Sequence, residues 1–306
     1  LVSLAGLTLC TGHSEEFEII LDNLIADNYQ RLTSKTTQVE APLYMAIVLQ
    51  QYIDFGADPK KVWKKYGKTL KEVLQSYLPG VRGEVTMHPN GLLWAQQEGV
   101  ALSWMNAYID GRAVTERAGY QVETNAFWYN AICFALQMEA SKGRYSDKEF
   151  IAKWTEIKEL VKANYTKVFF NEKLGYLADY VDNNGQNMDV RPNQLYAIWV
   201  KFSPVEDELH PSILRVIDRE LVTARGIRTL SPRDVKYKGV YEGSQSERDW
   251  AYHQGSTRTF LLAPYMEVSF RIKGPSFWKR GEWLTEGFFE DLNKHGVGAF
   301  AELYDG

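Results

Sequence analysis

The stretch Ser14-Glu15-Glu16-Phe17-Glu18-Ile19-Ile20-Leu21-Asp22-Asn23-Leu24-Ile25 decides the fold class. Phe17, Ile20, Leu21, Leu24 and Ile25 fall at i, i+3, i+4, i+7 and i+8, which is one apolar stripe on an α-helix over about 14–30, with Ser14 as its N-cap. The pattern recurs along the chain. Leu43, Ile47 and Ile53 mark a second helix, and Val62, Tyr66, Leu70, Val73 and Tyr77 mark a third, opened by Asp58-Pro59 and closed by Pro79-Gly80. Phe127, Ala131, Phe134 and Met138 repeat at i, i+4, i+7 and i+11, and Phe150, Trp154, Ile157, Val161 and Tyr165 do the same after Ser146. Similar patterns cover about 192–203, 206–224, 254–273 and 276–294. Strand signals are short, as at Tyr176–Tyr180. Some nine helices with little sheet predict an all-α fold, a helical toroid of the (α/α)6 barrel kind, and no fixed repeat period marks a TPR or HEAT solenoid.

The connections are unequal. Long ones, 79–119, 171–191 and 226–253, are rich in Gly, Trp, Arg and acids. Long loops in a compact domain are commonly functional, and these carry too many aromatics for disorder. A barrel with one face built from alternate long loops fits them.

Composition narrows the function. The 306 residues are 45% apolar, enough for a sizeable core, with a net charge of −4 and no basic stripe, which excludes a nucleic-acid partner. No apolar run approaches the roughly 20 residues of a membrane span. Leu1 to Cys10 is apolar but lacks a basic n-region and a cleavage site, so no secretory signal is read there. Cys10 and Cys133 are expected to be buried free thiols of a reducing compartment. Nine Trp, eighteen Tyr and fourteen Phe serve a core, and also suit stacking on sugar rings.

Several side chains are candidates for chemistry. Glu123 opens the helix through Phe127 and Phe134 on its inward, apolar face, either as a dipole-stabilised cap or as a ligand or catalytic group. The loop around it holds Trp104, Asn106, Asp110 and Arg117. Asp249, His253 and Gln254 cluster before a helix, as hydroxyl ligands or as loop-stabilising groups. A metal role for His253 is disfavoured, since no second His or Cys has ligand spacing. Glu302 follows the small-residue turn Gly296-Val-Gly298-Ala, where an ordinary solvated charge is the alternative. The serine-hydrolase elbow, the phosphate-binding loop, the HExxH zinc motif and CxxC are all missing, which leaves carboxylate chemistry, most often glycoside hydrolysis.

Taken together, Gly99-Val-Ala-Leu-Ser-Trp104-Met-Asn-Ala, Val114-Thr-Glu-Arg117, Val122-Glu123-Thr-Asn125-Ala-Phe-Trp128-Tyr129-Asn130, Arg191-Pro-Asn-Gln194, Gly226-Ile-Arg228-Thr-Leu-Ser-Pro232, Asp249-Trp-Ala-Tyr-His253-Gln254-Gly255 and Ala301-Glu302-Leu-Tyr-Asp305-Gly306, in that order, resemble the glucosidase part of glycogen debranching enzymes, as does Ser3-Leu-Ala-Gly-Leu-Thr-Leu. The resemblance implies an (α/α)6 barrel and an inverting exo-glucosidase. Its substrate would be the α-1,6-linked glucose stub at a branch of glycogen or another branched α-glucan. It implies no metal or organic cofactor and a cytoplasmic location. It makes Glu302 the general base, with Trp104, Trp128 and Tyr129 shaping the glucose pocket and Arg117, Gln194, Asp249, His253 and Gln254 binding hydroxyls. It also places barrel residues before Leu1 and after Gly306. The chain thus reads as one glucosidase-type domain, 1–306, of a longer protein, and an open toroid of this kind is compatible with oligomerisation.

One position departs from the family. The general acid there is an Asp directly after Trp-Met, and this chain has Asn106. An amide does not donate a proton at a useful rate, and a general acid is worth about 10²–10⁴-fold. Either Asp110 or Glu123 protonates the bond, or the domain binds glucan without turnover. A related toroid glycosidase acting on a disaccharide is the third reading.

Overall fold

The computed structural model describes residues 1–289, 291–294 and 298–306. Eleven α-helices are found among them: α1 (Leu4–Leu7), α2 (Ser14–Thr33), α3 (Tyr44–Asp54), α4 (Pro59–Ser76), α5 (Val122–Ala140), α6 (Lys148–Phe169), α7 (Asn193–Trp199), α8 (His210–Glu220), α9 (Gln245–Ala251), α10 (Leu262–Lys273) and α11 (Trp278–Phe289). Asp58 caps α4, its carboxylate accepting from Lys60 N at 2.8 Å with Pro59 at the first helical position. Asp147, rather than Ser146, caps α6 by accepting from Phe150 N at 3.0 Å. Helix α2 begins at Ser14 with no side-chain cap.

Helix α5 is buried on nearly every side and touches α3, α4, α6 and α7. That position explains its composition, because a helix surrounded by others has no polar face to show. Trp128 packs against Tyr77 and Trp154, with ring centroids 5.6 and 5.5 Å apart, and its indole N–H donates to Gly91 O at 3.1 Å. One contiguous apolar core runs from Leu4 to Phe288. The stripe on α2 is only partly covered: Phe17 and Leu21 are buried, Leu24 and Ile25 half-buried, and Ile20 exposed.

The all-α (α/α)6 expectation is corrected. The protein is mixed, 52% helical and 11% strand, with several antiparallel sheets. A five-stranded sheet joins β1 (Val85–Met87), β2 (Leu93–Ala95), β5 (Gly119–Gln121), β8 (Tyr180–Asp182) and β9 (Gly185–Asn187), in that order. Two hairpins stand beside it, β3 (Tyr108–Ile109) with β4 (Arg112–Ala113) and β6 (Phe170–Asn171) with β7 (Tyr176–Leu177). A four-stranded sheet links β10 (Val222–Thr223), β11 (Gly226–Arg228), β12 (Thr257–Arg258) and β13 (Leu303–Tyr304). All of these strands but β13 lie in or within a few residues of the long connections noted above. At two or three residues each, they are too short for an alternating pattern to register. The helix expected over 254–273 starts only at Leu262, because β12 occupies its first turn and Gly255 has φ +148°, with Lys238 O 2.8 Å from where a Cβ would stand. Of the turn before Glu302, Gly296 and Val297 lie outside the described residues, as does Glu290 within the expected 276–294 segment.

Gly119 holds the five-stranded sheet together where it meets α5. Its φ is +111°, and a Cβ there would lie 2.3 Å from Val181 O on the paired strand. Gly119→Ala is therefore expected to cost about 2 kcal/mol or more, strain and clash together. A chemical-denaturation midpoint within error of wild type would contradict this packing.

The two cysteines are free, and Cys10 is exposed rather than buried as expected. Among the described residues no helix is long and apolar enough to cross a membrane.

Candidate active site

Strand β5 leads directly into α5, so the loop before it and the first turn of the helix form one unit. Arg117 lies at its centre and is fully buried. Its Nε donates to Asp179 Oδ2 at 2.7 Å and its Nη2 to Glu123 Oε2 at 2.7 Å, while Nη1 pairs with Glu123 Oε1. Nη2 also reaches Asp179 O and Oδ1 at 2.9 and 3.2 Å. Burial opposes the guanidinium charge, but Asp179 and Glu123 outweigh it and raise the pKa of Arg117 further. Asn193, at the start of α7, donates to Asp179 Oδ1 at 2.7 Å and accepts the indole N–H of Trp104 at 2.8 Å. Arg191 completes the layer, donating to His253 O at 2.7 Å, Thr229 O at 3.1 Å and Gln254 Oε1 at 2.8 Å. Its own pKa is lowered by burial and by Arg117, against the pull of Asp179 and Asp189.

Trp104 turns this layer into a wall. Its ring meets His253 and Phe260 edge-on, with centroids 5.3 and 5.7 Å apart. His253 is buried, and neither ring nitrogen has a hydrogen-bond partner. Burial, then Arg258, Arg191 and Arg117, push its pKa well below the usual value, so the imidazole is neutral. Trp104 and Phe260, with Tyr44, Phe127 and Tyr196, line a cavity of about 590 Å³, within the usual range for small-ligand sites. Glu302 stands next to this wall. Its carboxylate accepts from Tyr252 Oη at 2.7 Å and Arg258 Nη1 at 2.8 Å, its carbonyl accepts from Thr259 Oγ1 at 3.4 Å, and its side chain is 70% exposed. Among the described residues one carboxyl lines the cavity: Glu40, just before α3, is 6% exposed, and its Oε2 has no hydrogen-bond partner.

The other sequence candidates go elsewhere. Asp110 sits at φ +49° in the exposed turn of the β3–β4 hairpin, where Asp tolerates the left-handed conformation. Asn106 is exposed on the same loop. Trp128 and Tyr129 do not line the cavity; they sit in the core of α5, Tyr129 beside Cys133. Gln194 is buried and bonds to Leu177 N and Arg191 O, at 3.4 Å each, supporting the wall from behind. Asp249 is half-buried on α9 and held by Gln245 Nε2 at 2.8 Å. Gln254 bridges Arg191 to Thr115 Oγ1, the latter at 3.3 Å. Among the described residues no group of three or more His, Cys, Asp or Glu is placed to hold a metal ion.

The model of one protein family, described as amylo-alpha-1,6-glucosidase, matches residues 1–306. The chain belongs to the amylo-alpha-1,6-glucosidase family. No curated protein matches it at a significant level of sequence similarity. Solved structures share the fold at low identity. A rhamnosidase from Klebsiella oxytoca with rhamnose bound matches with a TM-score of 0.52 and 11% identity, over 89% of this chain and 42% of its own. A sialidase gives 0.63 and 14%, over 90% and 24%. A GH78 family rhamnosidase of Bacillus sp. GL1 gives 0.53 and 14%, over 87% and 23%. The chain thus spans less than half the length of each of these proteins. Family membership supports a glycoside hydrolase-like role.

In this member of the amylo-alpha-1,6-glucosidase family, Glu40, Asp179 and Arg258 were not among the residues singled out from the sequence. Arg191, Asn193 and Tyr252 lie inside the recognised blocks without an assigned role. Glu40 had a readable signal: it is an acid inside Val39-Glu40-Ala41-Pro42-Leu43-Tyr44, at the mouth of an apolar helix.

Proposed function

We propose that this domain is an inverting exo-glucosidase that removes the single α-1,6-linked glucose left at a branch of glycogen or a related α-glucan. The observation that carries the reading is the aromatic wall of Trp104 and Phe260, which lines a cavity and continues into Thr259, whose hydroxyl bonds the main chain of Glu302, in a chain that matches the family along its whole length. Aromatic faces suit the apolar side of a hexose. In this mechanism Glu302 takes a proton from the water that attacks the anomeric carbon, with Tyr252 and Arg258 fixing the carboxylate's direction.

The intact protein is expected to release free glucose from a branched limit dextrin, initially as the β-anomer, read by proton NMR. Glu302→Gln is expected to lower kcat/KM by about 10²–10⁴-fold. Tight dextrin binding with no glucose released by the wild type would defeat this reading. It would favour a glucan-binding domain without turnover, the alternative to which the amide of Asn106 points. Release of the α-anomer would remove the inverting mechanism.

A further inference from the structure

We infer that Glu40 is the proton donor of this site, taking the role that an aspartate at the position of Asn106 would fill. The inference rests on the glucosidase reading above. Three observations carry it. The Glu40 carboxyl is more than nine-tenths buried yet lines the same cavity as Trp104 and Phe260. Its Oε2 has no partner, where a buried carboxyl oxygen is ordinarily satisfied. It lies against the backbone of Trp104, on the loop that carries Asn106, and beside the ring that walls the cavity. The other candidates are spent: Glu123 is clamped through both oxygens by Arg117, and Asp110 is in a hairpin turn.

The surroundings store the acid form. Burial raises the Glu40 pKa to about 8 and the charge of Glu123 adds to this, while the amides of Glu40 and Trp104 and the Arg117 guanidinium pull the other way. Tyr77 and Tyr196 also face it, and Arg31, Lys35 and Tyr44 stand on the cavity wall. In the reaction the Glu40 O–H proton passes to the glycosidic oxygen as the C1–O bond breaks. Water adds to C1 and gives its proton to Glu302. Glucose and a shortened glucan leave, and proton exchange with solvent restores Glu40 to the acid and Glu302 to the base.

The test compares the intact wild type with Glu40→Gln, Glu40→Asp and Glu302→Gln on two substrates, branched limit dextrin and α-glucosyl fluoride, whose leaving group needs no proton. Glu40→Gln is expected to lose about 10²–10⁴-fold on dextrin and to keep fluoride hydrolysis within about tenfold. It should also abolish the fall in kcat/KM that the wild type shows as pH rises through about 8. Glu302→Gln should lose both substrates, and Glu40→Asp should keep part of the dextrin activity. A carboxylic-acid C=O band in the infrared, present at pH 6, lost by pH 9.5 and missing in Glu40→Gln, reads the stored proton without turnover. Dextrin hydrolysis by Glu40→Gln within tenfold of wild type overturns the assignment, and so does an equal loss on both substrates in a folded variant. A wild type inert on both overturns the glucosidase reading itself and this role with it.

Discussion

Arg117→Met is expected to destabilise the protein by about 3–5 kcal/mol, a large share of a domain's total, and to leave little soluble folded protein at 37 °C. The side chain is fully buried and spends its donors on two carboxylates, Glu123 and Asp179, that are themselves fully buried. Methionine fills similar volume, so packing alone would cost little. The loss is electrostatic: two buried carboxylates lose the one cation that both bind directly. Arg191 Nε remains 3.7 Å from Asp179 Oδ2, beyond hydrogen-bond distance, and its Nη1 and Nη2 are committed to His253, Thr229 and Gln254. Neutralising one of the orphaned groups should return part of the stability. Arg117→Met/Glu123→Gln is therefore expected to fall short of the sum of its single variants by more than 0.5 kcal/mol, the signature of direct contact. Urea unfolding of the four proteins measures this. A single variant with a midpoint near wild type would mean that the ion cluster carries no net stability.

That cluster also shows what was legible in the sequence. Arg117 and Glu123 are six residues apart and both belong to recognised blocks, so their candidacy could be read directly. Asp179 lies 62 residues from Arg117 along the chain and falls between two short strands. No local pattern marks it, because its role exists only once β8 pairs with β5. The helices were legible wherever one face meets water, as in α4 and α6. The stripe on α2 overstated burial, since Leu24 and Ile25 face the cavity rather than a neighbouring helix. The sheets were not legible. Strands as short as Thr257–Arg258 and Leu303–Tyr304 are specified by what they pair with, and the partners come from loops far apart in sequence. Trp128 failed as a pocket candidate for a related reason: on a helix buried all round, periodicity does not say which side faces the cavity.

Glu40→Gln is expected to make the protein more stable than wild type at pH 8.5 and no more stable at pH 4.5. In the unfolded chain Glu40 titrates near its ordinary value of 4.5, and in the folded protein near 8. The folded state therefore binds the proton more tightly, and stability falls as pH rises between those values. Each pH unit in that window is worth about 1.4 kcal/mol, so the loss approaches about 4–5 kcal/mol by pH 8 and then levels off. Glutamine has nearly the same shape and no proton to lose, so the variant escapes this term. Its amide brings an unpartnered donor where Oε2 was, a cost of about 1–3 kcal/mol that does not change with pH. The two effects separate in the difference between the unfolding free energies of variant and wild type, because every other titrating group is common to both. That difference should start at or below zero at pH 4.5 and climb steadily in favour of the variant to pH 8.5. A flat difference would mean that Glu40 is ionised in the folded protein and stores no proton for the reaction. A rising difference, together with lost dextrin hydrolysis, would identify a residue that the fold keeps at a cost to its own stability, which is expected of a group placed for chemistry rather than packing.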